Sequence, residues 1–304
     1  MRCSNKEEIS STAKLVYSVT LCKEEHPECN SRVSAILSAL EKNHLTPKFR
    51  GSEIIQLQNY KTATFEDIAN KHLPPLTKEK YSVLEEGVDG SGETHTTDTT
   101  FKESLVSAGA GISLVDYVVI SAQVLMHGDV FYDDPDVFFL SIHQDGILPG
   151  AGKIDDIGCG NGVGTTLNLP LPQFSGYFAM QTVMYQAIVP CAQRFKPDII
   201  LVSAGYDGHV QDPRSKLQFM TLTYYMLASG IKKLAKDLCG GRCVFFLEGG
   251  YNLESLSNSV AESFRAIIGE PYNSAEYDSS HFVIMEPYLG ARQVVEKIKQ
   301  LHSL

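Results

Sequence analysis

Three short apolar runs dominate the second half of the chain: DVFFLSI (136–142), DIILVSA (198–204) and CVFFLEG (243–249). They begin or end beside Gly, Pro or Asp, and they read as strands buried on both faces. The segments between and after them carry a helical period instead. Tyr177 to Phe195 places Met180, Val183, Met184, Ala187, Ile188 and Cys191 on one side, and Pro190 should bend that helix or mark a late break. Thr221 to Leu238 repeats Leu222, Tyr225, Met226, Ile231 and Leu234, and Leu253 to Ile268 repeats Leu256, Val260, Phe264 and Ile267. Strand and helix in alternation at this spacing imply an α/β fold, a parallel sheet with helices on both faces.

The first half is less regular. Arg32 to Leu40 reads as a helix, Glu53 to Leu57 as a strand, Thr64 to Asn70 as a short helical turn and Thr77 to Thr99 as a loop. Phe101 to Ile120 reads as a helix with Leu105, Ala108, Ile112, Val115 and Val119 on one face. With 304 residues, 43% of them hydrophobic, the chain can build one large domain or two small ones. We divide it into residues 1–20, a candidate for disorder, one domain over 21–270, and a C-terminal tail at 271–304 with a short helix. The net charge of -10 argues against a nucleic-acid binder held by phosphate contacts, while leaving a basic peptide substrate open. The cysteines number seven, an odd count at wide spacings, and Cys239 and Cys243 have no second pair to complete a zinc knuckle. Reduced thiols in an intracellular compartment follow. No stretch is apolar enough to span a membrane, no signal-peptide core opens the chain, and Glu7 and Glu8 weigh against a transit peptide.

Ligands of parallel sheets sit at the carboxyl ends of the strands. GYDGHVQDP (205–213) follows one strand and EGGYNLE (248–254) another, so both polar stretches share one rim. Asp207, His209 and Asp212 can hold a metal or move protons. Equally, Asp212 can start a turn before Pro213 while Asp207 and His209 bond loop amides. Tyr251 stands just before a helix, where its hydroxyl can donate to an oxyanion or simply fill an interface beside a Gly–Gly turn. The glycines of DIGCGNGVGTTLNLPLP (156–172) fall at 158, 160, 162 and 164, which is neither dinucleotide nor Walker spacing, and the segment runs on as a strand. It is a shaped loop rather than a nucleotide site.

Together HPECNSR (26–32), SIHQDGILPGAGKIDDIG (141–158), GVGTTLNLPLP (162–172), SAGYDGHVQDP (203–213) and FFLEGGYNLESL (245–256) resemble the zinc-dependent histone deacetylase family, and within it the plant histone deacetylase 14 group. The resemblance implies the arginase/deacetylase fold and hydrolysis of acetyl-lysine amides on histones or other acetylated proteins. In that family an Asp–His–Asp set binds Zn2+, a histidine pair handles the proton and a tyrosine steadies the oxyanion. By matching position, Asp207 is one zinc ligand and Tyr251 the oxyanion donor. Gly249 and Gly250 shape the floor of the substrate channel beside the tyrosine, and Leu148 belongs to the channel. His143 and Gln144 are structural.

The chain also departs from the family. Its P-P-G-H-H and D-x-H-H-G-N-G-T blocks are missing, and SAQVLMHGDVFYDD (121–134) runs from the helix ending near Ile120 directly into DVFFLSI. Aligned by its His-Gly, Val124 and Met126 stand where the ligand Asp and His belong, and His127 matches the next, non-ligand histidine; neither Val nor Met replaces a ligand. KHLPPLTKEK (71–80) is shorter than the family's segment, and Ile147–Leu148 replaces a channel aromatic. The expectation is a shortened deacetylase that has lost at least one strand with its flanking helix, lacks the other two ligands and is inactive. Unpaired backbone edges and apolar surface left by the missing strand imply marginal stability or aggregation. Two alternatives stand beside it. His127, Asp129, Asp207 and His209 can be read as a rebuilt metal site, or the chain as a non-catalytic protein that competes with the full-length enzyme for partners. Neither direct nucleic-acid binding nor membrane binding is expected. Nucleus, cytoplasm and plastid are equally open.

Overall fold

The structure, a computed structural model, describes residues 14–19, 30–58, 131–147, 152–273 and 286–304. The expected elements at 64–70, 77–99 and 101–120 lie outside the described residues, as do Val124, Met126, His127, Asp129 and Leu148. The described elements are β1 (Leu15–Ser18), α1 (Asn30–Lys42), α2 (Pro47–Arg50), β2 (Ile54–Leu57), β3 (Phe139–Gln144), β4 (Thr166–Leu171), α3 (Tyr177–Val183), α4 (Val189–Phe195), β5 (Ile200–Ala204), α5 (Thr221–Cys239), β6 (Cys243–Leu247), α6 (Leu253–Ile268) and α7 (Tyr288–His302). Leu15–Ser18 falls in the stretch marked as a candidate for disorder and is instead a strand, because it pairs in register with Ile54–Leu57. Two of the apolar runs, DVFFLSI and DIILVSA, start their strands a few residues late, while CVFFLEG starts its strand at Cys243. Asp136 N donates to Asp134 Oδ1 at 2.8 Å and holds a turn before β3. Lys196 ends α4 in the left-handed region at φ 56° before β5.

Every strand pairing is parallel: β1 with β2, β3 with β4, and β5 with β6. Among the described residues the three pairs are not joined into one sheet. This corrects one expectation. The three runs were expected to be buried on both faces, yet β3, β5 and β6 are only half-buried, Ser203 is exposed and Leu247 is 42% exposed. A strand is sealed only when neighbours flank both its edges and helices cover both its faces, and a two-stranded pair has open edges. β4 is the contrast: Leu167, Leu169 and Leu171 are fully buried among the side chains of α3 and α7. Pro170 is tolerated in β4 because β4 has a partner on one side only among the described residues.

The helix around Pro190 breaks earlier than the proline itself. Met184–Ile188 forms a π-turn between α3 and α4, and Pro190 then sits in the first turn of α4, where its missing N–H costs no helical bond. The larger core joins β4, α3, the π-turn, α5 and α7. A smaller cluster of Leu40, Leu45, Ile54, Ala261 and Ile268 fastens α1 and β2 to α6.

The short helix expected in the C-terminal tail is α7, fifteen residues long, with Ala291, Val295 and Ile298 fully buried. Glu286 precedes it and accepts from Phe178 N at 3.1 Å and Ala179 N at 3.0 Å, satisfying the first amides of α3. At its other end Arg194 donates to the His302 carbonyl, and the His302 ring is 4% exposed. Burial, and then the nearby Arg194 cation, hold the His302 imidazole below its ordinary 6.5, against a smaller upward pull from the Gly164 carbonyl. A histidine depressed in this way contributes stability that is fully present above about pH 6.5 and is lost as pH falls through its folded-state value. The melting midpoint will therefore fall on acidification below that point, and His302→Leu will flatten the fall. An unchanged pH profile in the variant would show that His302 takes up its proton equally in the folded and unfolded states, so that burial does not depress it.

Candidate active-site rim

The polypeptide turns out of β5 at Gly205 and out of β6 at Glu248, and the two loops face each other. The Asp207 carboxylate fits between them because two glycines make room. A Cβ on Gly249 would stand 2.5 Å from Asp207 Oδ1, and one on Gly205 would stand 2.8 Å from it. Burial raises the Asp207 pKa above its ordinary value. Its own backbone N–H opposes the shift, Asp212 adds to it and Arg32 reduces it.

Asp212 does two jobs. Its Oδ1 accepts from Arg214 N at 2.9 Å, the local turn expected before and around Pro213. Its Oδ2 reaches across to the other loop and accepts from Tyr251 N at 2.6 Å and Asn252 N at 3.3 Å. The second role leaves no trace in the sequence, because its partners are 39 and 40 residues away. His209 serves its own loop: Nδ1 accepts from Gln211 N at 3.2 Å, and Nε2 lies 3.5 Å from Thr221 Oγ1.

The loop carrying Tyr251 is held from the opposite side by Arg32 of α1, which is 4% exposed. Its Nε donates to Gly250 O at 2.8 Å, and its guanidinium also donates to Glu248 O. Gly250 sits at φ 117°, and a Cβ there would meet Tyr206 Cβ and Leu256 Cδ1, both at 2.9 Å. The Tyr251 ring lies between two cations, with Arg32 Cζ 5.4 Å and Arg214 Cζ 5.2 Å from its centroid. Asn252 then caps α6 by accepting from Ser255 N at 3.0 Å. Sequence reasoning placed Arg32 in a motif and gave it no task; its position in HPECNSR was the available signal.

His143 and Gln144 end β3 at the same rim. The His143 ring lies 2.9 Å from Ser141 Oγ through Nδ1 and 3.0 Å from the Gly152 carbonyl through Nε2, and burial lowers its pKa. Gln144 Oε1 accepts from Lys216 N at 2.6 Å. Both residues fasten loops.

A catalytic zinc needs three protein ligands and an open position. Of the acids and imidazoles gathered here, Asp212 is spent on three amides and His209 on its own turn. No group of three His, Cys, Asp or Glu side chains suited to a metal occurs among the described residues. These residues do not fit a zinc site. What they do provide is a half-buried carboxylate, Asp207, and, on the facing loop, a tyrosine fixed at backbone and ring.

Comparison with known proteins gives the chain a lineage. The histone deacetylase domain model matches residues 127–267, beginning at the His-Gly after the divergent SAQVLM segment. The chain is 48% identical to histone deacetylase 14, chloroplastic, of Arabidopsis thaliana over 361 residues, covering 96% of the chain and 85% of that protein. It is 46% identical to histone deacetylase 10, chloroplastic, of Oryza sativa, covering 93% and 78%. Both alignments, of 361 and 347 residues, are longer than the 304-residue chain, so both relatives carry tens of residues within the aligned span that have no counterpart here. Among solved structures, the HDA15 HD domain superposes with a TM-score of 0.75 at 19% identity, covering 96% of this chain and 95% of that one. The arginase/deacetylase-like α/β fold, the ordered motifs and the relatives converge: the chain belongs to the histone deacetylase family.

Proposed function

We propose that this chain is a shortened deacetylase that keeps the oxyanion-facing half of the site and performs no hydrolysis itself. The family's reaction on acetyl-lysine is zinc-dependent, and of the residues that carry it this chain retains Asp207 and Tyr251. The observation that carries the reading is the fate of the other candidates: His209 and Asp212 are committed to the loops. In the sequence as a whole, none of the nine histidines stands next to another, so the family's histidine pairs are missing. Magnitudes decide the consequence. Zinc lowers the pKa of bound water from about 15.7 to about 7, an effect beyond the reach of one carboxylate. The tyrosine is worth about 10²–10³ in rate, and only with a polarised carbonyl to act on.

The retained loops favour an acetylated lysine, on a histone or another protein, as what this rim faces in the longer relatives. Both plant relatives are named chloroplastic, which favours the plastid among the compartments the sequence leaves open.

The test is zinc content after dialysis against a zinc buffer, together with hydrolysis of an acetyl-lysine peptide. We expect neither stoichiometric zinc nor turnover. One zinc per chain with hydrolysis lost in Tyr251→Phe would overturn the reading. Loss in both His127→Ala and Asp207→Ala would then assign the activity to a rebuilt site.

A further inference from the structure

All-parallel sheets occur almost only where both faces are covered, and an unpaired edge is a template for another strand. Here β5 is hydrogen-bonded to β6 alone and β3 to β4 alone among the described residues. The two pairs nevertheless meet at their carboxyl ends, where the segment after β5 reaches across. Lys216 N donates to Gln144 Oε1 at 2.6 Å, Phe174 N to Lys216 O at 2.8 Å and Gln218 N to Ser175 O at 2.9 Å. Behind that rim no ladder joins β5 to β3 among the described residues, and both strands stay half-buried although they are built from Phe139, Leu140, Ile142, Ile200, Leu201 and Val202. The rim links the two pairs at their carboxyl ends, and among the described residues the facing backbone edges of β5 and β3 have no strand partner.

We propose that the gap between β5 and β3 is a strand-receiving interface. It takes an extended segment of a longer member of the family, supplied by a second polypeptide and running parallel to β5. This rests on reading the chain as a shortened deacetylase. The occupant follows from what the relatives carry and this chain lacks. Their alignments exceed the length of the chain, and the domain match begins at His127, directly upstream of β3. The family resemblance puts the missing D-x-H-H-G-N-G-T block just before β3 in sequence, where a neighbouring parallel strand with its crossover would arise. Open N–H and C=O groups supply the affinity of strand addition, and the half-buried apolar side chains on either side select an apolar guest.

The probe is the polypeptide formed by those residues of the Arabidopsis thaliana relative that have no counterpart here, added to the full chain. An equimolar complex is expected, with amide exchange at Leu140–Ile142 and Leu201–Ser203 slowed at least about tenfold. The same polypeptide N-methylated at alternate residues keeps its side chains but loses its donors, and it should not bind. Unchanged exchange at those strands, or equal binding by the N-methylated probe, would overturn the proposal. So would concentration-dependent protection of the same amides in the chain alone, which would assign the edge to a second copy. Hydrolysis by the chain without the probe bears on the inactive reading alone and is scored separately from exchange.

Discussion

Replacing Asp212 by alanine will cost the fold about 3 kcal/mol and release the loop that carries Tyr251, because three amides lose a charged acceptor at once. Arg214 N, Tyr251 N and Asn252 N all converge on this carboxylate, which is 6% exposed. Water reaches such a site poorly, so the donors are left without replacement partners. For a chain of this size the loss corresponds to a melting midpoint lower by roughly 5 °C. Asp212→Asn keeps one acceptor oxygen and turns an amide group toward the other donors, so it should fall between the parent and the alanine variant. The discriminating measurement is amide exchange at Tyr251 and Asn252. We expect these two to quicken more than amides of α5, which the carboxylate does not touch. If they exchange no faster than the rest of the fold, the Arg32 clamp on the Glu248 and Gly250 carbonyls is sufficient by itself.

That loop also marks where the sequence stops being legible. The positions of most elements are visible because periodicity is a local property. Leu253–Ile268 has the bounds expected of it because Asn252 caps one end and Gly269, at φ 88°, terminates the other. The break near Pro190 is visible in kind, yet it moves forward into a π-turn, since the chain must change its bonding before the proline arrives. Leu15–Ser18 is too short to announce itself and exists through its pairing with residues far along the chain. The half-exposure of β5 and β6 is invisible for the same reason: DIILVSA and CVFFLEG record what each strand can bury, whereas actual burial depends on neighbours. At the rim, motif and position single out Asp207 and Tyr251 as candidates. The cross-loop bonds of Asp212 and Arg32 were not, since a hydrogen bond between distant segments has no spacing to betray it.

A second large effect lies at the join between the N-terminal layer and α6. Glu262 is fully buried, and Arg265 Nε stands 3.1 Å from its Oε1, at ion-pair distance though not aligned as a hydrogen bond. Arg265 also meets Glu270 at 2.9 Å and Asn43 Oδ1 at 3.1 Å, and Glu270 meets Arg50 at 2.5 Å, so one guanidinium ties α6 to α1 and α2. Arg265→Met keeps the aliphatic bulk but takes the cation from a buried carboxylate, which typically costs about 3–5 kcal/mol. The exposed pairs of this network, such as Lys14 with Glu53 at 2.6 Å, contribute far less, because water screens them. Joining Arg265→Met with Glu262→Gln removes the stranded charge and should recover a large part of the loss in a denaturant melt. The Gln still has Asn273 N to receive, the donor 3.2 Å from Glu262 Oε2. A double variant as unstable as Arg265→Met alone would locate the cost in the contacts to Glu270 and Asn43 rather than in the buried carboxylate.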